Sequence, residues 1–148
     1  AASVREFPIA CAPFLPVHSA SAVWTEGVMS ERCDWDRLAK ELAETGPMPA
    51  GKLEARAQVA NLLDNATDIR SFPLPRLPSA TVITAARYDA YVPSCSTAKL
   101  HRHWTGSELR WVEGGHVTSF VLETATYRRS IVDALNRLQQ HLEQQHRA

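Results

Sequence analysis

Two short stretches decide how this chain folds: Tyr88-Asp89-Ala90-Tyr91-Val92-Pro93 and Glu113-Gly114-Gly115-His116. Each follows a short apolar run that reads as a buried strand. Ala80-Thr81-Val82-Ile83-Thr84-Ala85-Ala86 precedes the aspartate, and Glu108-Leu109-Arg110-Trp111-Val112 precedes the histidine. Residues 94–106 between them are long enough for one helix and two turns, and strand–helix–strand units build parallel sheets. Parallel neighbours lie about 4.8 Å apart, and ligands bind beyond the carboxyl ends of such strands. Asp89 and His116 are therefore expected side by side on one rim. A carboxylate beside an imidazole is two-thirds of an acid–base–nucleophile triad. The plainer alternative makes Asp89 a turn residue or helix cap and His116 a surface-loop histidine.

An Asp-x-x-Val-Pro after one strand and a Gly-Gly-His after the next resemble the acid and base motifs of α/β-hydrolases. In that superfamily the nucleophile comes first, then the acid, then the histidine. Three further stretches sharpen the match: His18-Ser19-Ala20-Ser21-Ala22-Val23-Trp24-Thr25-Glu26-Gly27-Val28, Asp34-Trp35, and Leu63-Asp64-Asn65-Ala66-Thr67. Together with the first two they resemble the C-terminal half of the α/β-hydrolase domain-containing protein 18 family, over about residues 7–138. The resemblance implies an α/β fold, the C-terminal portion of a single hydrolase domain over residues 1–148. It implies about three parallel strands (residues 9–12, 80–86 and 109–112) with flanking helices, and residues 34–71 as lid or crossover helices.

No glycine pair brackets a serine as Gly-x-Ser-x-Gly; the six glycines are Gly27, Gly46, Gly51, Gly106, Gly114 and Gly115. In the resembled family that elbow precedes the strand expected near residues 7–15. The chain also begins with Ala1, partway through what reads as a helix end. It is therefore expected to be a fragment starting just after the nucleophile, with the upstream half of the domain needed to complete it.

With 45% hydrophobic residues in 148, the chain can build a real core. Sixteen acidic and sixteen basic residues cancel, so nothing points to nucleic acid or an anionic membrane. No apolar run approaches the roughly 20 residues of a membrane span, and the N-terminus lacks the layout of a signal peptide. In an incomplete chain that leaves localisation open. Cys11, Cys33 and Cys95 are widely spaced and odd in number, which favours free thiols over a disulfide framework or structural zinc. His101 and His103 on one helix face different directions and cannot easily share a metal. No cofactor or metal is expected.

In order, residues 7–15 are nearly all apolar, with Pro8 and Pro13 limiting any strand to about residues 9–12. His18, Ser19 and Ser21 follow on the ligand rim; neither serine sits in an elbow, so lining the substrate pocket or capping a helix over residues 22–29 is their expected role. Asp34 is the expected N-cap of a short helix, which residues 46–51 break. A second helix should run over residues 52–69 with Leu53, Ala57, Ala60, Leu63 and Ala66 on one face. The three prolines of residues 72–78 mark an extended connector. Residues 95–104 and 123–145 should be helices, the last one packing on the sheet through Tyr127, Ile131, Val132, Leu135, Leu138 and Leu142.

The resemblance implies a serine hydrolase acting on an acyl ester, lipid esters included, with His116 as general base and Asp89 as its orienter. The chain alone, lacking attacker and oxyanion hole, should be inactive. The alternative from a different class is a non-catalytic, hydrolase-like binding or scaffolding module.

Overall fold

A computed structural model describes residues 6–46 and 51–147. The helix end expected at the N-terminus and most of the break at residues 46–51 lie outside the described residues. Two strands, β1 (Val82–Ala86) and β2 (Glu108–Val112), pair in parallel with Val82 opposite Glu108 and Ala86 opposite Val112. Helix α3 (Ser94–His103) connects them. The fold is mixed α/β around this small two-stranded sheet.

The third strand expected at residues 9–12 does not form as a regular strand. The chain there runs parallel to β1, on the side away from β2, but is tied only by isolated bridges at Cys11–Thr81 and Phe14–Thr84. Cys11 N–H donates to Ala80 O and Val82 N–H to Cys11 O, at 3.0 and 2.9 Å, and Leu15 N–H donates to Thr84 O at 2.8 Å. Pro13 has no N–H to extend a ladder. Leu15 then takes a left-handed φ of 49°, which ends extended structure and costs a non-glycine residue roughly 1–2 kcal/mol. Burial of its side chain with Ala86, Val112 and Tyr127 offsets that strain.

Every residue of β1 is buried, as expected of a strand covered on both faces. Ile83 packs with Leu100 and Trp104, the latter two in and just after α3. The alternate residues Thr84 and Ala86 face the other layer, formed by α5 (Thr124–Arg147). Helix α5 approaches closely because its sheet-facing residues include small ones. Ser130 and Ala134 are buried beside Tyr127, and the Ser130 hydroxyl lies 2.9 Å from that of Thr84. Asp133 ties the same face to Arg110 of β2 at 2.6 Å.

The stripe expected on α5 is therefore rotated. Tyr127 packs inward, but Ile131, Val132 and Leu135 are exposed. A short helix, α4 (His116–Leu122), which no sequence signal marks, also runs from the histidine toward α5.

Residues 22–29 are not one helix. A π-turn (Ala22–Glu26) gives way through Gly27 to a 3₁₀ helix (Val28–Arg32). Helix α1 (Trp35–Thr45) starts as expected, with the Asp34 side chain accepting from the Arg37 N–H at 3.0 Å. Helix α2 (Lys52–Thr67) packs on α1 and on the π-turn. Its inward face is Ala55, Val59 and Leu63, while Leu53, Ala57 and Ala66 are exposed, since the face is chosen by what α1 and the π-turn offer. No described helix is long and apolar enough to cross a membrane.

Substituting Ala134→Leu should overpack the α5–β1 contact and cost about 1–3 kcal/mol. Leu135→Ala, one residue on, should change stability by no more than about 0.5 kcal/mol. Denaturant unfolding of the two variants measures both; equal losses would contradict the assigned face.

Candidate functional site

The β1–β2 pairing continues past the strands. Arg87 N–H donates to Val112 O and Tyr88 N–H to Gly114 O, at 3.0 and 3.1 Å. The two following loops are thereby held abreast, and they bring Asp89 and His116 together across 27 positions of sequence. His116 Nδ1 lies 2.7 Å from Asp89 Oδ2, within the reach of a direct hydrogen bond.

Asp89 is fixed from the other side as well. Its Oδ1 accepts from the N–H groups of Tyr91 and Val92 at 2.9 and 2.8 Å, a turn closed by a carboxylate. The Asp89 side chain is only 2% exposed, whereas that of His116 is 38% exposed. One oxygen of a sheltered carboxylate holds the loop and the other holds the ring. Among the described residues none hydrogen-bonds Nε2, and Tyr91 packs its ring 5.3 Å from that of His116.

The Gly114-Gly115 pair places the histidine. Gly114 has a φ of +94°, which favours glycine. A Cβ on Gly115 would press to 3.2 Å from Tyr88 O, so the two loops approach as closely as they do because that position lacks one. The Thr118 hydroxyl accepts the Gly115 N–H at 2.9 Å and starts α4 at His116. Such an arrangement can hold one imidazole tautomer, with Nδ1–H on the carboxylate and Nε2 free to take a proton.

His18, Ser19 and Ser21 form a separate, almost wholly buried cluster. His18 Nδ1 lies 2.7 Å from the Ser96 hydroxyl, which also accepts the His18 N–H at 3.0 Å. Ser19 pairs with the Thr67 hydroxyl at 3.2 Å, and Ser21 donates to the Asp64 carboxylate. None of these three hydrogen-bonds Asp89 or His116 among the described residues. Asp64 and Thr67 sit near the C-terminal end of α2, where local hydrogen bonding is open to both. The Thr67 hydroxyl does bond locally, donating to Leu63 O at 2.6 Å, but it and Asp64 also reach partners more than forty residues away, on the loop of residues 18–21.

His18, Asp64 and Asp68 offer potential metal-ligand atoms within 4.8 Å of one another, a grouping invisible to spacing rules. Its charges are already matched by protein groups. Arg70 grips both Asp68 oxygens at 2.5–3.0 Å and holds that carboxyl below its usual range. Burial tends to raise the Asp64 carboxyl, but the hydroxyls of Ser19 and Ser21 outweigh it and hold the group low. Burial and then the Lys99 charge push the His18 imidazole below its ordinary value. These are the features of a neutral histidine and two ionised aspartates knitting three segments together.

Beside this cluster, Trp24, Trp35, Leu38, Val59 and Leu63 line an apolar groove of about 350 Å³ between the π-turn, α1 and α2.

The family model described as alpha/beta hydrolase domain containing 18 matches the chain over residues 1–49 and 48–137. No solved structure matches it.

The depressed His18 value predicts a pH effect with a definite sign. Below the unfolded value of about 6.5 the unfolded chain takes up a proton that the folded one resists, so stability falls as pH falls. His18→Asn, which cannot titrate, should flatten the decline between about pH 6.5 and 5 by up to about 1.4 kcal/mol per pH unit. Urea unfolding across that range measures it; parallel pH profiles would refute the buried-neutral assignment.

Proposed function

The chain belongs to the alpha/beta hydrolase domain containing 18 family, and from that premise we propose that it supplies the acid and base of a serine hydrolase acting on an acyl ester. The observation that carries the reading is the 2.7 Å contact between His116 Nδ1 and Asp89 Oδ2, made by a partly exposed ring whose Nε2 has no hydrogen-bond partner among the described residues. In the proposed reaction Nε2 takes the proton from a serine hydroxyl as its oxygen attacks the acyl carbon. His116 then returns that proton to the departing alkoxide. Asp89 holds the tautomer and stabilises the imidazolium formed on the way.

The 148 residues contain no Gly-x-Ser-x-Gly turn. The nucleophile and the oxyanion hole are therefore assigned to a preceding part of the same domain. Two features support that assignment. The extended chain at residues 9–15 hydrogen-bonds to β1 on one side only among the described residues, which leaves an edge of the kind that pairs with another strand. Val117, Phe120, Val121 and Leu122 of α4 are all exposed, and clustered apolar groups of this kind mark a surface that something covers.

An acyl substrate fits the apolar groove beside the π-turn, and by this reading helices α1 and α2 form part of the substrate enclosure. His18, Ser19 and Ser21 are given the role of holding that enclosure's floor, since their side chains are buried and engaged.

The test uses the chain joined to the segment that precedes it in the domain, assayed with short p-nitrophenyl esters. His116→Ala should abolish turnover, and Asp89→Asn should lower it by about 10⁴ through loss of the tautomer. The 148-residue chain by itself should release no product. Unchanged turnover in His116→Ala would overturn the reading.

A further inference from the structure

We propose that Gly27 is a positioning residue for Asp89, through which the helices α1 and α2 are mechanically joined to the Asp89–His116 pair. This rests on the reading of that pair as acid and base. The Val28 N–H donates to Ala90 O at 2.8 Å. Gly27 is buried against the same backbone, where an added Cβ would lie 2.5 Å from Tyr91 O and 3.2 Å from Ala90 O. Its φ of −78° is open to any residue. Glycine is needed there for room and not for conformation.

The backbone it touches is the one that fixes the acid. The N–H groups of Tyr91 and Val92 hold Asp89 Oδ1, and the Tyr91 ring packs on His116. A backbone carbonyl cannot swing aside as a side-chain end can, so a methyl group at residue 27 must displace either the π-turn or the Ala90–Tyr91 segment.

The π-turn is anchored on its far side. The Arg56 guanidinium of α2 donates to Thr25 O, the Thr25 hydroxyl donates to Ser21 O at 2.7 Å, and the Ser21 hydroxyl donates to Asp64 of α2. Trp35 Nε1 of α1 donates to Ser30 O at 2.7 Å just beyond Val28. Motion of the helical pair is thus delivered to the acid loop at Gly27. One-turn π segments are often found at functional sites, and this one carries the connection.

The readout is the tautomer of His116, followed by the ¹⁵N shifts of its ring in the labelled protein, with Asp89→Asn as the reference for lost control. Gly27→Ala should lower the ratio of Nδ1–H to Nε2–H ring by about tenfold, moving toward the Asp89→Asn spectrum. Gly46→Ala, at the exposed end of α1, should leave the ring unchanged. If Gly27→Ala does not fold, Arg56→Met releases Thr25 O from the surface side and should move the same shifts in the same direction by less. A folded Gly27→Ala, or a folded Arg56→Met standing in for it, with the wild-type tautomer overturns the positioning role while leaving the acid–base reading intact. Identical spectra for wild type and Asp89→Asn reject the pair itself, and the positioning role with it.

Discussion

The parallel pairing of Val82–Ala86 with Glu108–Val112 is the constraint from which the rest of the candidate site follows. Because the hydrogen-bonded register runs on through Arg87–Val112 and Tyr88–Gly114, the two loops leave the sheet at the same level. Asp89 and His116 then need only short, stiff turns to meet. Those turns come from a carboxylate that caps its own loop, a glycine at positive φ, and a second glycine that leaves room for Tyr88 O. The geometry is a property of backbone pairing more than of the two side chains, and only the side chains add chemistry.

Two of the polar systems are centred on a histidine, and they differ in physical character. Around Asp89 and His116 the carboxylate is sheltered and the ring partly exposed. Around His18 the imidazole and the serines are enclosed, and the acids have partners: Ser96 on the imidazole, Arg70 on Asp68, Ser21 on Asp64. Such pairing offsets the cost of burial, and removing one partner leaves another stranded. Both systems have a histidine beside acids and hydroxyls, so residue type alone does not separate them. Exposure does.

Between the two lies the stretch from Ser21 to Arg32. It takes up π and 3₁₀ geometry where an ordinary helix was expected, because it answers to contacts on both sides at once. Arg56 and Asp64 hold one end, Trp35 holds the other, and Gly27 rests on the acid loop between them. Local propensity cannot encode a segment whose shape is a compromise between three neighbours.

The sequence by itself determined β1, β2 and their helical connection, since buried apolar runs bounded by turn residues carry their own signal. It also determined that Asp89 and His116 share a rim, since parallel strands joined by a crossover must end on the same side. Asp34 as a helix cap was legible for the same local reason. Tertiary structure alone decided the rest. Pro13 and the strained Leu15 turned the expected first strand into an extended chain with two bridges, because a ladder needs N–H groups and unbroken β geometry. The inward faces of α2 and α5 were set by close approach at Ala55, Ser130 and Ala134, where small side chains admit a neighbour that leucine would hold away. The meeting of His18 with Ser96, and of Ser21 with Asp64, joins positions 78 and 43 residues apart. No spacing rule reaches that far, because such contacts are fixed only when the layers close.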